Sequence, residues 1–183
     1  MKKIIISLFA SLFTLLTIGA ISLYWGYQML LDYGQQPINV TEAQELTVKR
    51  GTTFNQFIAV LESTDLIKDG WKLKWLVRLK PELAHIRSGL YEITPSDNID
   101  SLLAKIVSGK EKSFGVTLLE GQTVKEWRQV LATQDKLVMQ ADVFQQILLD
   151  NGDDSGLPEG KFFPDTYHYI AGSSEKALLN KSY

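Results

Sequence analysis

The sequence predicts an α+β protein carried behind one N-terminal transmembrane helix, and three observations predict it. Between Lys3 and Asp32 run 28 residues without a formal charge. A short strand, a polar turn and an amphipathic helix then recur three times. The composition is that of a globular chain, with 45% hydrophobic and 22% charged residues over 183 positions. Such a chain has material for one or two small domains, which excludes a disordered tail or a collagen-like fibre. The absence of cysteine excludes disulfides, thiolate nucleophiles and cysteine-ligated zinc or iron–sulfur sites. Two histidines, His85 and His168, leave little material for a histidine-based metal site.

The apolar segment comes first. Ile4 to Leu31 extends about 42 Å as a helix at ~1.5 Å per residue, more than a ~30 Å hydrocarbon core requires. Tyr24, Trp25 and Tyr27 supply the aromatic belt expected where such a helix meets headgroups. Lys2 and Lys3 precede the segment, so the positive-inside rule places Met1 in the cytoplasm and the bulk of the chain across the membrane. A cleaved signal peptide is the competing reading. The apolar run is longer than the usual h-region and no clear A-x-A site follows, which favours a retained anchor over residues 1–31. Removing Lys2 and Lys3 from the 19 basic residues leaves 17 against 21 acidic ones, a net charge of −4 for the exported part. That is no nucleic-acid footprint.

Residues 32–44 carry Gly34, Pro37, Gln and Asn with little periodicity and read as a juxtamembrane linker. The first strand–turn–helix copy is Leu46–Lys49, Arg50-Gly51-Thr52, then a helix with Phe54, Phe57, Ile58 and Leu61. The second is Leu90–Ile93, Thr94-Pro95-Ser96, then Ile99, Leu102, Leu103 and Ile106. The third is Val116–Leu119, Glu120-Gly121-Gln122, then Val124, Trp127 and Leu131. Thr53-x-x-Gln56 and Thr123-x-x-Glu126 are capping boxes that mark two of the helix starts. The copies stand 45 and then 25 residues apart (Phe54, Ile99, Val124), so they are a recurring local unit and not a solenoid. Trp71, Trp75, Leu76 and Leu79 form a further helical stripe, ended by Pro81, whose spacing predicts core packing. Glu45 to Lys110 therefore reads β-α-α-β-α. A helix is expected over Asp135–Asp150, stopped by Asn151-Gly152. Ser173 or Ser174 caps a last helix that has only about two turns before Tyr183, so the chain is expected to be the front part of a longer protein.

Several site patterns are weak. Asn151-x-Asp153-x-Ser155-Gly156 has Phe162 where a calcium loop needs a bidentate Glu, and reads as an acidic turn. Ser108-Gly109-Lys110 lacks the earlier Gly of a P-loop. Asn39-Val40-Thr41 and Asn180-Lys181-Ser182 are sequons. His85 reads as a surface turn residue, and His168 as a structural residue in an aromatic cluster. Glu159 and Asp165 are the carboxylates that stand out, because glycosidic chemistry uses paired carboxyl groups and an aromatic setting raises the pKa of an acid. A turn or cap role is the plainer reading of both.

The run Glu159-Gly160-x-Phe162-Phe163-Pro164-Asp165-Thr166-Tyr167 resembles the EG-x-[LF]-FPDTY signature of the endolytic murein transglycosylases, the membrane-anchored YceG-like family. Val48-x-x-Gly51, Phe57-Ile58-Ala59-x-Leu61, Leu66-Ile67 and Gly89-x-Tyr91 are similar to the LysM-like region of that family. Leu118-x-Glu120-Gly121-Gln122-Thr123 resembles its lead into the catalytic domain. The resemblance covers essentially the whole chain. It implies a LysM-like βααβ-type module over residues 45–112 and the beginning of a mixed α/β catalytic domain over 113–183. It also implies a lyase that cleaves nascent peptidoglycan strands between MurNAc and GlcNAc and leaves 1,6-anhydroMurNAc ends. In that chemistry one Glu protonates the leaving oxygen and then takes the proton of the sugar's own 6-hydroxyl as the ring closes, so neither a cofactor nor a metal is called for. The family's Glu belongs to an I-I-E-x-E motif that is expected downstream of Tyr183, so no catalytic residue is assigned here and the 183-residue chain is expected to be inactive. Glu159, Asp165, Thr166 and Tyr167 are then expected to shape the substrate groove. The implied partners are glycan strands, the cytoplasmic membrane in which the chain sits as a single-pass inner-membrane protein, and cell-wall synthases. The alternative is a membrane-tethered scaffold or glycan-binding module without catalysis, with Trp71, Trp75 and Tyr91 stacking on sugars.

Overall fold

The structure, a computed structural model, describes residues 2–183, with side chains from Phe9 onward. Met1 and the side chains of Lys2 and Lys3, on which the orientation rests, lie outside the described residues. The chain forms two units. The first comprises residues up to Ser88 with Glu92–Lys110, and the second Gly89–Tyr91 with Glu111–Tyr183.

The first unit opens with helix α1 (Lys2–Gly34). From Phe9 to Gly34 it is long and apolar enough to cross a membrane. Phe9 and Trp25 are both 70% exposed, whereas Leu30 and Tyr33 near the end are buried. The segment read as a linker is fastened down. The helix runs on to Gly34, Ile38 is buried, and three backbone bonds secure the exit. Ile38 N donates to Asp97 O, Ile99 N to Gln36 O, and Asn39 N to Leu66 O, at 3.1, 3.1 and 3.0 Å. One buried isoleucine and these bonds give order to a stretch whose sequence has no period.

Strand β1 (Gln44–Val48), helices α2 (Phe54–Ser63) and α3 (Gly70–Leu79), a 3₁₀ turn at Pro81–Ala84, strand β2 (Gly89–Ile93) and helix α4 (Ile99–Ser108) follow in the β-α-α-β-α order expected. β1 and β2 form a two-stranded sheet. The caps explain the helix starts. Thr53 and Gln56 form the anticipated box, while α4 is opened by Asn98 and Ser101, a box whose third residue is not the usual Glu or Gln. The apolar stripes of α2 and α4 (Phe57, Ile58 and Leu61; Leu102, Leu103 and Ile106) are buried. On α3 the expectation fails. Leu73 and Leu76 are buried, but Trp71 and Trp75 stand 52% and 50% exposed. Gly70 decides this, because a Cβ there would lie 2.5 Å from Ile58 Cγ2. The close approach of α3 to α2 turns the leucine face inward and the tryptophan face out.

The second unit contains β3 (Ser113–Thr117), α5 (Val124–Ala132), α6 (Val143–Asp150), β4 (Thr166–Ile170) and α7 (Glu175–Leu179). β3 and β4 pair antiparallel, with Phe114 opposite Tyr169 and Val116 opposite Tyr167. These four side chains share the core face, and Thr117, Thr166 and His168 take the outer one. Under that face lie Trp127, Leu131, Val143, Phe144, Ile147 and Leu148, closed from the C-terminal side by Leu178 and Leu179.

The helix expected over Asp135–Asp150 is only half present. Its first half is a run of turns around one isolated bridge residue, because Val138 N donates to Ser173 O and Val138 O accepts from Glu175 N, both at 2.9 Å. Gly172 N also donates to Lys136 O at 2.8 Å. This pairing with the start of α7 outweighs local helix preference. Ser174 is the residue that caps α7, accepting from Ala177 N at 3.1 Å.

Candidate functional site

Two loops separated by some forty residues meet beside α5. The first runs from β3 into α5 as Leu118 to Thr123. Its backbone turns at Gly121, where φ is 80°, a left-handed conformation that favours glycine although the space around it is open. Gly51 occupies the same place in the first copy at φ 81°. Thr123 Oγ1 then accepts from Glu126 N at 3.3 Å, and the Glu126 carboxylate returns by accepting from Thr123 N at 2.7 Å. The hydrogen bonds that Thr123 N and Thr123 Oγ1 donate to the Glu126 carboxylate, at 2.7 and 2.8 Å, hold that carboxyl below its ordinary pKa. Replacing Thr123 by Ala is expected to lower stability by about 1 kcal/mol. Urea denaturation followed by circular dichroism measures this, and an unmoved midpoint would show that the cap contributes nothing.

The second loop carries Pro158 to Asp165. Lys161 ties it down by an ion pair with Asp153 and a 2.6 Å hydrogen bond to Ser155 Oγ. The Lys161 contact holds the Asp153 carboxyl well below the usual carboxylate range. Phe162 enters the core and meets Phe144 edge-on at 4.9 Å. Phe163 is exposed, while its backbone is held on both sides: its N–H donates to Ser182 O at 2.6 Å and its carbonyl accepts from the Tyr167 hydroxyl at 2.7 Å.

The loops are joined at two points. Leu118 N donates to Asp165 O at 2.9 Å. Both Glu159 carboxylate oxygens accept from Val124 N, at 3.2 and 3.1 Å. Glu159 therefore satisfies an orphan donor in the first turn of α5 and opposes the positive end of that helix. Between the loops lies a cavity of about 230 Å³. Glu120, Gly121 and Gln122 line one side, Glu159, Gly160 and Pro164 another, and Trp127 reaches it from α5. Gln122 Oε1 is buried without a hydrogen-bond partner.

The anticipated site residues thus have distinct placements. Glu159 lines the cavity, and its carboxylate serves the backbone. Asp165 is exposed, and its Oδ1 accepts from Thr166 N at 2.6 Å, which makes it a turn residue. Thr166 starts β4, with its hydroxyl 2.8 Å from that of Thr117. Tyr167 is buried, and burial first, then the Asp165 charge, pushes its phenol pKa up. Trp127 and Gln122 belong to the cavity but carried no sequence signal beyond the Glu120-Gly121-Gln122-Thr123 run and a helical stripe. Among the described residues no group of three or more His, Asp or Glu is placed to hold a metal ion. Tyr91 on β2 is fully buried, so its ring has no face open to a sugar.

No curated protein matches the chain. A crystal structure of a YceG-like protein from Listeria monocytogenes is similar at 18% identity and a TM-score of 0.41, over 78% of this chain and 53% of that one. The chain thus spans about half the length of that protein. The model of the YceG-like family matches residues 46–183, three quarters of the sequence and both motif-bearing loops, and on that match the chain belongs to the YceG-like family.

Proposed function

We propose that this chain is the front part of a membrane-anchored endolytic peptidoglycan transglycosylase. The whole protein would cut glycan strands between MurNAc and GlcNAc and leave 1,6-anhydroMurNAc ends. The observation that carries the reading is the closure of the Glu120-Gly121-Gln122 loop and the Glu159–Asp165 loop onto one cavity through Glu159 and the Leu118–Asp165 bond. In this reading residues 45–112 are the LysM-like module and 113–183 the first part of the catalytic domain. Glu159, Asp165, Thr166 and Tyr167 shape one wall of the glycan groove. Tyr167 acts from beneath by fixing the Phe163 carbonyl, and Glu159 acts by fixing the loop to α5. Neither carboxylate is the proton donor: each is occupied by a backbone N–H, and the acid–base Glu comes from the sequence that follows Tyr183.

Helix α1 holds the protein in the inner membrane, with Met1 cytoplasmic and the bulk of the chain, beyond α1, periplasmic. Burial of Leu30 and Tyr33 supports retention of the helix, since cleavage after it would strip two core residues from the first unit. The decisive experiment incubates the native gene product, purified from its own membranes, with uncrosslinked glycan strands and analyses the ends by mass spectrometry. Anhydro ends are expected from the native product and none from the 183-residue chain. Reducing ends, or no cleavage by the native product, would overturn the reading.

A further inference from the structure

Helix α3 has two apolar faces, and only one is used inside the first unit. Leu73 and Leu76 are buried, and Gly70 fixes the rotation of the helix against α2. Trp71, Trp75 and Leu79 recur at i, i+4 and i+8 and therefore form one stripe, and they remain 52%, 50% and 44% exposed. Two indoles and a leucine in a row on a surface are costly to leave in water.

The flanks of the stripe are cationic. Lys72 lies on one side and Lys74 and Arg78 on the other; Gly70–Leu79 contains no acidic residue, and among the described residues the one acidic group paired to these cations is Asp69 at the helix start, 2.7 Å from the Lys72 ammonium. The Arg78 guanidinium sits 4.5 Å from the centre of the Trp75 ring, and the Lys72 ammonium 5.7 Å from that of Trp71. An apolar stripe edged by such cations has the make-up of a helix that lies in a bilayer interface, with aromatic rings at the acyl boundary and ammonium and guanidinium groups among lipid phosphates.

The position of the stripe points the same way. It faces α1 across an open, almost wholly apolar groove of about 450 Å³, whose other wall is Leu23, Tyr27 and Leu30. This is the stretch of α1 that carries Tyr24, Trp25 and Tyr27, where an apolar helix leaves the hydrocarbon. No flexible tether intervenes. α1 is one continuous helix into the unit, and the Tyr33 hydroxyl donates to Lys68 O at 2.8 Å, just ahead of α3. A bilayer surface that meets α1 along Leu23–Leu30 also meets the stripe. The groove between the stripe and α1 is itself almost without polar groups, which suits acyl chains better than a glycan.

We propose that the Trp71–Trp75–Leu79 face of α3 is a lipid-docking surface that seats the first unit in the headgroup–acyl boundary of the membrane. The inference rests on α1 crossing that membrane, and its test separates the two. The chain contains no cysteine, so single nitroxide labels can be placed at Leu79→Cys and, as reference, at Phe13→Cys on the exposed apolar part of α1. The full chain is reconstituted in vesicles of phosphatidylethanolamine and phosphatidylglycerol, and collisions with oxygen and with a water-soluble nickel chelate are compared.

Both labels are expected to favour oxygen over nickel, with the Leu79 label at the shallower depth. A nickel-exposed Leu79 label beside a lipid-buried Phe13 label overturns the docking surface and leaves the anchor standing. A nickel-exposed Phe13 label overturns both. Dipolar broadening between Leu79 labels that vanishes on dilution with unlabelled protein would place a second copy in the groove, and so would also overturn the lipid assignment.

Discussion

Replacing Trp127 with alanine is expected to destabilise the second unit by about 3–5 kcal/mol, the cost typical of truncating a large aromatic residue in a core. Trp127 is 5% exposed and packs among Leu131, Phe144 and Phe162 in the cluster beneath β3 and β4. Its indole N–H also donates to Leu119 O at 3.0 Å, so one side chain fixes α5 to the core and positions the loop that lines the cavity. Domain stabilities are typically ~5–15 kcal/mol, so the loss removes a large share of the free energy that holds the unit together. Trp127→Phe separates the two contributions. It keeps most of the buried area and gives up the hydrogen bond, at a cost of about 1–2 kcal/mol. Chemical denaturation of the three proteins, followed by circular dichroism, checks the order. An alanine variant no worse than the phenylalanine variant would show that the packing of the ring is dispensable and that the loop is positioned by other means.

The features that sequence made visible are those set within a few residues. The boxes at Thr53–Gln56 and Thr123–Glu126 were readable because donor and acceptor lie three positions apart, and both form as written. The stop at Asn151-Gly152 is equally local, with Gly152 at φ 76°. The features that escaped depend on distant partners. Thr166–Ile170 alternates aromatic and polar residues as a strand should, but reads as a motif until β3, some fifty residues earlier, supplies its hydrogen bonds. The first half of the expected helix at Asp135 is claimed by Ser173 and Glu175. For α3 the period gave the helix correctly, yet its two apolar faces are indistinguishable in sequence, and only the contact of Gly70 with α2 selects between them. The candidate site follows the same division. Both motif runs were legible as words, whereas their closure on each other depends on the Glu159 cap and the Leu118–Asp165 bond.

The first unit should lose stability in acid, and Asp97 is the residue that makes it do so. Asp97 is 8% exposed, and its carboxylate accepts from Thr94 N at 2.8 Å, Thr94 Oγ1 at 3.0 Å, Ser101 Oγ at 3.1 Å and Lys105 Nζ at 2.8 Å. Burial alone would raise its pKa, but the hydrogen bonds from Lys105 and Thr94 outweigh burial and hold it below the ordinary aspartate value. A carboxyl depressed by folding contributes its stability above the unfolded value of about 3.9, and that contribution is lost as pH falls through the folded value.

Asp97→Ala is expected to cost about 3 kcal/mol at neutral pH, the lower end of the range for a buried pair that loses one partner, because Lys105 keeps some access to water. Asp97→Asn should cost less and flatten the acid limb. The readout must be local, since Glu126 and Asp153 in the second unit are depressed in the same sense. Amide hydrogen exchange in α4 as a function of pH supplies it. Equal acid sensitivity of α4 in the wild type and the asparagine variant would assign the effect elsewhere.

The effect of Asp97 extends beyond stability, because its backbone carbonyl also accepts the Ile38 N–H that fastens the exit of α1. Loosening this turn should free the strap that holds the rest of the first unit to α1. In the asparagine and alanine variants, amide exchange at Ile38 should therefore accelerate together with that of α4. Ile38 protection that stays at the wild-type level in both variants would show that the strap is held independently of the Asp97 cluster.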